Sequence, residues 1–173
     1  CQQKDVGMAG AKLYYPDDTI QHAGVVVGLG GVAAHVLCKL PRDAEGYMGR
    51  LRCVQEISAV TAACMMVKTS VFKAVGGFDE ELKVAFNDID LCMKVRKYGV
   101  KIIFTPYAEL YHYESKSRGM EDTPEKQLRF SREVNCFRRK WERELLKGDP
   151  YYNPNLTLNN TDCSLRKQEK NGD

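Results

Sequence analysis

The stretch from Gly76 to Gly99 constrains this 173-residue chain more than any other. It opens on a glycine pair, Gly76-Gly77, which permits backbone angles that a Cβ disfavours. Asn87, Asp88 and Asp90 then mark a helix start. An Asn side chain can cap the first turn, and the helix dipole favours acids just inside it. Leu91, Cys92, Val95 and Tyr98 follow at helical spacing, with Lys94 and Lys97 on the other side. Gly99 stands where a left-handed cap ends a helix. A purely structural account covers all of this: Asn87 caps, the two acids answer the dipole, and Asp90 pairs with Lys94 four residues on.

The flanking segments alternate between strand and turn signals. Residues 6–15 read as a strand, Pro16-Asp17-Asp18 as a turn, and residues 20–28 as a second strand, so a hairpin is expected. Gly28-Leu29-Gly30-Gly31 is not a phosphate loop, because no Gly-Lys-(Ser/Thr) follows at the required spacing. His22 and His35 have no partner in sequence and read as satisfied structural or surface histidines. Residues 36–52 read as a charged, glycine-rich loop. Residues 54–59 read as a strand, 60–63 as a bend and the run to Val67 as another strand. The small residues Thr61, Ala62 and Ala63 let a backbone or a ligand come close, although core packing explains them equally.

After Gly99, residues 100–105 read as a strand stopped by Pro106, and residues 108–112 as a second one ending at His112. Residues 113–124 read as a polar loop. Thr123-Pro124 opens a long helix to about Lys147, with Leu128, Phe130, Val134, Phe137, Trp141 and Leu145 on its inner side. Arg138, Arg139, Lys140 and Arg143 form a basic outer face, a solvated surface or a contact for anionic lipid headgroups. Residues 151–173 read as an irregular extension, disordered over the last fifteen or so.

The fold class expected is α/β: a mixed sheet, a mid-chain helix after Asn87 and a long C-terminal helix, with residues 1–150 as one unit. A net charge of +3 is too weak to argue for nucleic acid, and none is expected as a partner. No apolar run is long enough to span a membrane, and no signal peptide is visible. Seven cysteines without a Cys-x-x-Cys pair read as reduced thiols of a cytoplasmic protein, and no ligand spacing suggests zinc.

Six blocks in order carry a resemblance. They are Gln21-His22-Ala23-Gly24, Val60-Thr61-Ala62-Ala63-Cys64, Gly76-Gly77-Phe78-Asp79-Glu80, Asn87-Asp88-Ile89-Asp90-Leu91-Cys92, His112-Tyr113-Glu114-Ser115 with Arg118-Gly119, and Asp149-Pro150-Tyr151-Tyr152-Asn153-Pro154. Together they resemble the acceptor side of family 2 glycosyltransferases with the GT-A fold, in particular the rhamnosyltransferase-like enzymes of bacterial O-antigen and cell-surface polysaccharide synthesis. The family motif usually reads Glu-Asp-x-Asp-Leu-Cys, and Asn87 stands where its glutamate would be.

The resemblance implies transfer of a sugar, with inversion, from a nucleoside diphosphate sugar to a glycan or lipid-linked glycan acceptor. It makes Asp88 the catalytic base. Asn87, Asp90, Thr61, Gly76 and Gly77 become the acceptor-side residues, with Asp90 in an orienting role. His112 becomes a metal ligand or a diphosphate contact, the alternative being a strand-end histidine bonded to backbone. Ser115 and Arg118 would close over the diphosphate. The nucleotide-binding half and its Asp-x-Asp are not in this sequence. A manganese or magnesium ion would be bound mainly by that other half. This chain, which starts at Cys1, is then expected to be a C-terminal half with little activity alone. It would expose an apolar edge for the missing half or for a second copy, and would be cytoplasmic, with peripheral contact at the inner face of the membrane. The rival readings are a glycan-binding module without catalysis and a small metal-dependent hydrolase using Asp88, Asp90 and His112.

Overall fold

The computed structural model describes residues 2–113 and 123–167. The long strand β1 (Val6–Tyr14) is its axis, and nearly every residue in it is buried. Strand β7 (Lys101–Tyr111) lies parallel to β1 on one side. On the other side β1 pairs antiparallel with β2 (Ile20–His22) near one end and with β6 (Met65–Val67) near the other. The short β5 (Gln55–Glu56) adds antiparallel to the far edge of β7. The five-stranded sheet is therefore mixed, as expected. A separate ribbon joins β3 (Val25–Val27) to β4 (Ala33–His35).

The hairpin of β1 and β2 matches the sequence reading, but the second strand does not run on to residue 28. Gly24, at φ 106°, turns the chain out of the sheet and into the ribbon, a conformation that residues with a Cβ resist. Gly10 serves differently. A Cβ there would lie 2.4 Å from Val60 Cγ1, so its absence lets the 60–61 segment press onto β1.

Pro106 does not stop a strand. The pairing steps from Ala11 against Thr105 to Lys12 against Glu109. Pro106, Tyr107 and Ala108 thus form a bulge, where a missing N–H costs the ladder nothing.

Helix α1 (Thr69–Ala74) is short, and α2 (Asn87–Lys97) packs its Leu91, Cys92 and Val95 into the core. The Cys92 thiol lies 3.4 Å from the Val60 amide nitrogen, and burial raises its pKa to about 12, so it is inert packing. The six described cysteines are free thiols.

The C-terminal helix is two helices, α3 (Pro124–Lys140) and α4 (Glu142–Lys147), broken at Trp141 (φ −114°, ψ 23°). The oxygen of Thr123 caps α3 by accepting from the Lys126 N–H. Phe137 and Trp141 are buried as expected, whereas Leu128 and Phe130 are exposed. The basic outer face is also divided. Arg138 donates to the Gly31 carbonyl, and Lys140 turns inward to Asp79 and Asp90.

Residues 151–167 are irregular but anchored. Leu156 pairs with Leu165, Thr161 O accepts from the Leu37 N–H at 2.6 Å, and Tyr152, Leu156 and Cys163 are buried. The part of the expected tail before residue 168 is therefore held to the body through backbone hydrogen bonds that no periodicity announces.

Candidate functional site

Helix α2 starts differently from its sequence reading. Phe86, not Asn87, is the N-cap residue, at a left-handed φ of 62°, and its carbonyl takes the first helical bond from the Asp90 N–H. A left-handed aromatic residue is strained and needs support from its surroundings. The Phe86 ring packs on Phe130 and Phe137. The buried Glu133 carboxylate accepts from the Val84 and Ala85 amides, both at 3.0 Å. Asn87 is the first helical residue and gives no capping bond.

This entry angle sets Asp88 and Asp90 on different sides of the helix. Asp88 is half-buried and faces the 3-10 turn Ala62–Cys64. Its Oδ2 accepts from the Ala62 N–H at 3.0 Å and its Oδ1 from the Ile89 N–H at 2.9 Å. A carboxylate offers about four lone-pair positions, so both oxygens keep capacity for a further donor. Thr61 stands beside it, its hydroxyl oxygen accepting from the Ala63 N–H.

Asp90 is fully buried. It accepts from the Trp141 indole N–H at 2.8 Å and is ion-paired with Lys94 (3.0 Å) and Lys140 (2.7 Å). Lys140 also holds Asp79, whose pKa falls chiefly through that bond. Partial burial alone would lower the Lys140 pKa, but its bonds to Asp79 and Asp90 raise it. Asp90 thus fastens α2 to the junction of α3 and α4, shut away from solvent.

Gly76 and Gly77 close α1: their amides bond to the Lys73 and Phe72 carbonyls. The Gly77 carbonyl accepts from Lys94, which ties the pair to the middle of α2 and not to Asp88.

His112 follows the end of β7, its N–H bonded to the Tyr14 carbonyl at 2.9 Å. Its Nδ1 lies 2.8 Å from Gln21 Oε1. The residue after Gln21, His22, is fully buried, with Nδ1 3.2 Å from His35 Nδ1 and Nε2 3.5 Å from the Thr61 amide nitrogen. Burial, and then the His35 charge, hold His22 well below the usual histidine range. A continuous run of contacts therefore leads from Asp88 through Ala62, Thr61, His22 and Gln21 to His112.

The structure thus brings Asp88, Thr61 and His112 into one network and leaves Asp90, Gly76 and Gly77 out of it. Ser115 and Arg118 fall outside the described residues. Gln21 and His22 link the network but were not among the sequence-derived site residues. Only their place in one of the six blocks hinted at them.

Among the described residues no group of three or more His, Cys, Asp or Glu side chains could hold a metal ion. The imidazole of His112 can supply at most one ligand to such an ion. A cavity of about 580 Å³, lined by Arg96, Lys97, Trp141, Lys147 and Tyr151 among others, opens at the far end of α2 from Asp88. No helix among the described residues is long and apolar enough to cross a membrane.

Known proteins place this geometry in context. The chain is 57% identical over 165 residues to the uncharacterized protein y4gI of Sinorhizobium fredii, a match covering 95% of the chain and 18% of y4gI. It is 38% identical over 173 residues to the O-antigen biosynthesis protein RfbC of Myxococcus xanthus, covering 99% of the chain and 13% of RfbC. Over 62 residues it is 34% identical to the N-acetylglucosaminyl-diphospho-decaprenol L-rhamnosyltransferase of Mycobacterium tuberculosis, covering 36% of the chain and 20% of that enzyme. The named relatives support a glycosyltransferase-like relationship. The chain spans less than a fifth of the length of y4gI or RfbC. No family model matches the chain, and no solved structure does.

Proposed function

We propose that this chain is the acceptor-side part of an inverting family 2 glycosyltransferase with a GT-A-like fold, acting in O-antigen or related polysaccharide synthesis. The observation that carries the reading is Asp88: a half-buried carboxylate at the start of α2, held by two backbone amides yet with lone pairs to spare. A sugar hydroxyl becomes an effective nucleophile when a carboxylate in hydrogen-bond reach takes its proton. Asp88 takes that proton, the acceptor oxygen forms its bond to the anomeric carbon, and the nucleoside diphosphate leaves with the electrons of the broken bond.

The donor nucleotide and most of a divalent metal site belong, in this reading, to a part of the protein other than these residues. The second half of β7, where Tyr107, Leu110 and Tyr111 are exposed beyond the reach of β5, offers an apolar edge to that part or to a second copy. A second reading, a glycan-binding module in which Asp88 only caps the Ala62 turn, draws on the same two hydrogen bonds.

Calorimetric titration of the chain with manganese and UDP or dTDP tests the division of labour. Binding weaker than millimolar is expected. Metal-dependent micromolar binding that His112→Ala abolishes would mean that a complete donor site lies here, against the proposal.

A further inference from the structure

Gln21 is almost wholly buried on β2 and meets His112 at two points. Its Oε1 lies 2.8 Å from His112 Nδ1, and its Nε2 lies 3.5 Å from the His112 carbonyl oxygen. The two contacts decide each other. A carbonyl oxygen only accepts, so the NH2 end of the amide belongs on the His112 C=O. The amide oxygen then faces Nδ1, and because it too only accepts, Nδ1 must carry the proton.

Both partners are fixed from behind. The Gln21 backbone carbonyl lies 3.1 Å from His35 Nδ1 and 3.1 Å from the Cys38 thiol. His112 is held through its backbone N–H by Tyr14. Its Nε2 bonds to no described residue.

We propose that Gln21 is a positioning residue that locks neutral His112 in the Nδ1–H tautomer and leaves the lone pair on Nε2. The inference rests on the proposed function and sharpens it. An imidazole with a lone pair at Nε2 can ligate a divalent cation, but cannot donate a hydrogen bond to a diphosphate from that atom. Of the two roles considered for His112, this arrangement is compatible with a cation ligand and incompatible with a donor to the diphosphate from Nε2.

The test is long-range proton–nitrogen NMR of the histidine rings in the uniformly labelled chain, at about pH 8, where a free histidine is neutral. His112→Ala assigns the signals. The expected spectrum shows a protonated Nδ1 and a bare Nε2 for His112. Gln21→Glu keeps an acceptor and should keep this pattern, whereas Gln21→Leu should raise the Nε2–H population several-fold. A wild-type His112 that is mainly Nε2–H overturns the proposal, and so does a Gln21→Leu chain with an unchanged pattern. Should Gln21→Leu fail to fold, the wild-type and Gln21→Glu spectra still decide. The tautomer is read without manganese or nucleotide, so its outcome does not depend on the proposed function.

Discussion

The indole N–H of Trp141 donates to Asp90 Oδ1 at 2.8 Å, with both side chains shut away from solvent. This bond, with the ion pairs from Lys94 and Lys140, joins the helix that carries Asp88 to the point where α3 gives way to α4. Two aspartates two positions apart thus have separate duties.

Asp90→Ala should show the difference. It strands the Trp141 N–H and two lysines around a buried space. Breaking a buried charge cluster by removing one member costs about 3 kcal/mol. Asp88→Asn keeps an acceptor for the Ala62 amide and should cost under about 1 kcal/mol. Urea denaturation of the two variants measures both values.

Gly10→Ala should destabilise the chain by about 1–3 kcal/mol through overpacking. The new methyl group would meet Val60 at 2.4 Å, and Val60 is itself fixed between β1 and the Cys92 thiol. The midpoint of thermal unfolding reads this directly.

Acid should destabilise the fold through His22. Its folded pKa lies well below the ordinary value of 6.5, first by burial and then by the His35 charge. The unfolded state therefore binds the proton more readily. Stability is complete above 6.5 and falls as the pH drops through 6.5 toward the lower folded value. His22→Gln should flatten the slope of stability against pH in that window. Below it, Glu109 and Asp79 take over. The pKa of Glu109 is lowered chiefly by the Tyr14 hydroxyl and that of Asp79 by Lys140, so their contribution is lost only at lower pH.

Arg42 pins the 36–52 segment to the sheet. Its guanidinium reaches Glu109 Oε2 at 2.6 Å and lies over the Tyr14 ring at 4.5 Å, and Glu109 in turn accepts from the Tyr14 hydroxyl. The ion pair is solvent-exposed, so Arg42→Ala should cost under about 1 kcal/mol globally. Local opening should rise nonetheless, and limited proteolysis within residues 36–52 should quicken several-fold.

The hairpin of β1 and β2 and the extent of α2 were legible from alternation and helical spacing, since burial on one face dictates those patterns. Three features were not. Pro106 reads as a stop because a proline lacks an N–H, yet in a bulge no ladder bond is asked of it. Trp141 sits in register with the inner side of a helix, and nothing local reveals that its bond to Asp90 accompanies a break there. The inward turn of Lys140 depends on partners far away in sequence, Asp79 and Asp90.

The same limit applies to the site. Asp88 stood out as an acid at a helix start, but its contact with the Ala62 amide joins segments whose adjacency only the fold creates. Gln21 carried no chemical signal of its own. A neutral amide in a strand becomes informative once His112 is found against it.

Whether Asp88 is a base or only a cap for the Ala62 turn is decided most directly by sugar transfer in the protein carrying this chain, wild type against Asp88→Asn. The assay would follow release of the nucleoside diphosphate from dTDP- and UDP-sugars with a lipid-linked glycan acceptor. A catalytic base predicts a loss of about 100- to 10,000-fold in rate, with stability lowered by no more than about 1 kcal/mol. An Asp88→Asn protein that transfers sugar at the wild-type rate would contradict that role and leave Asp88 as a structural cap.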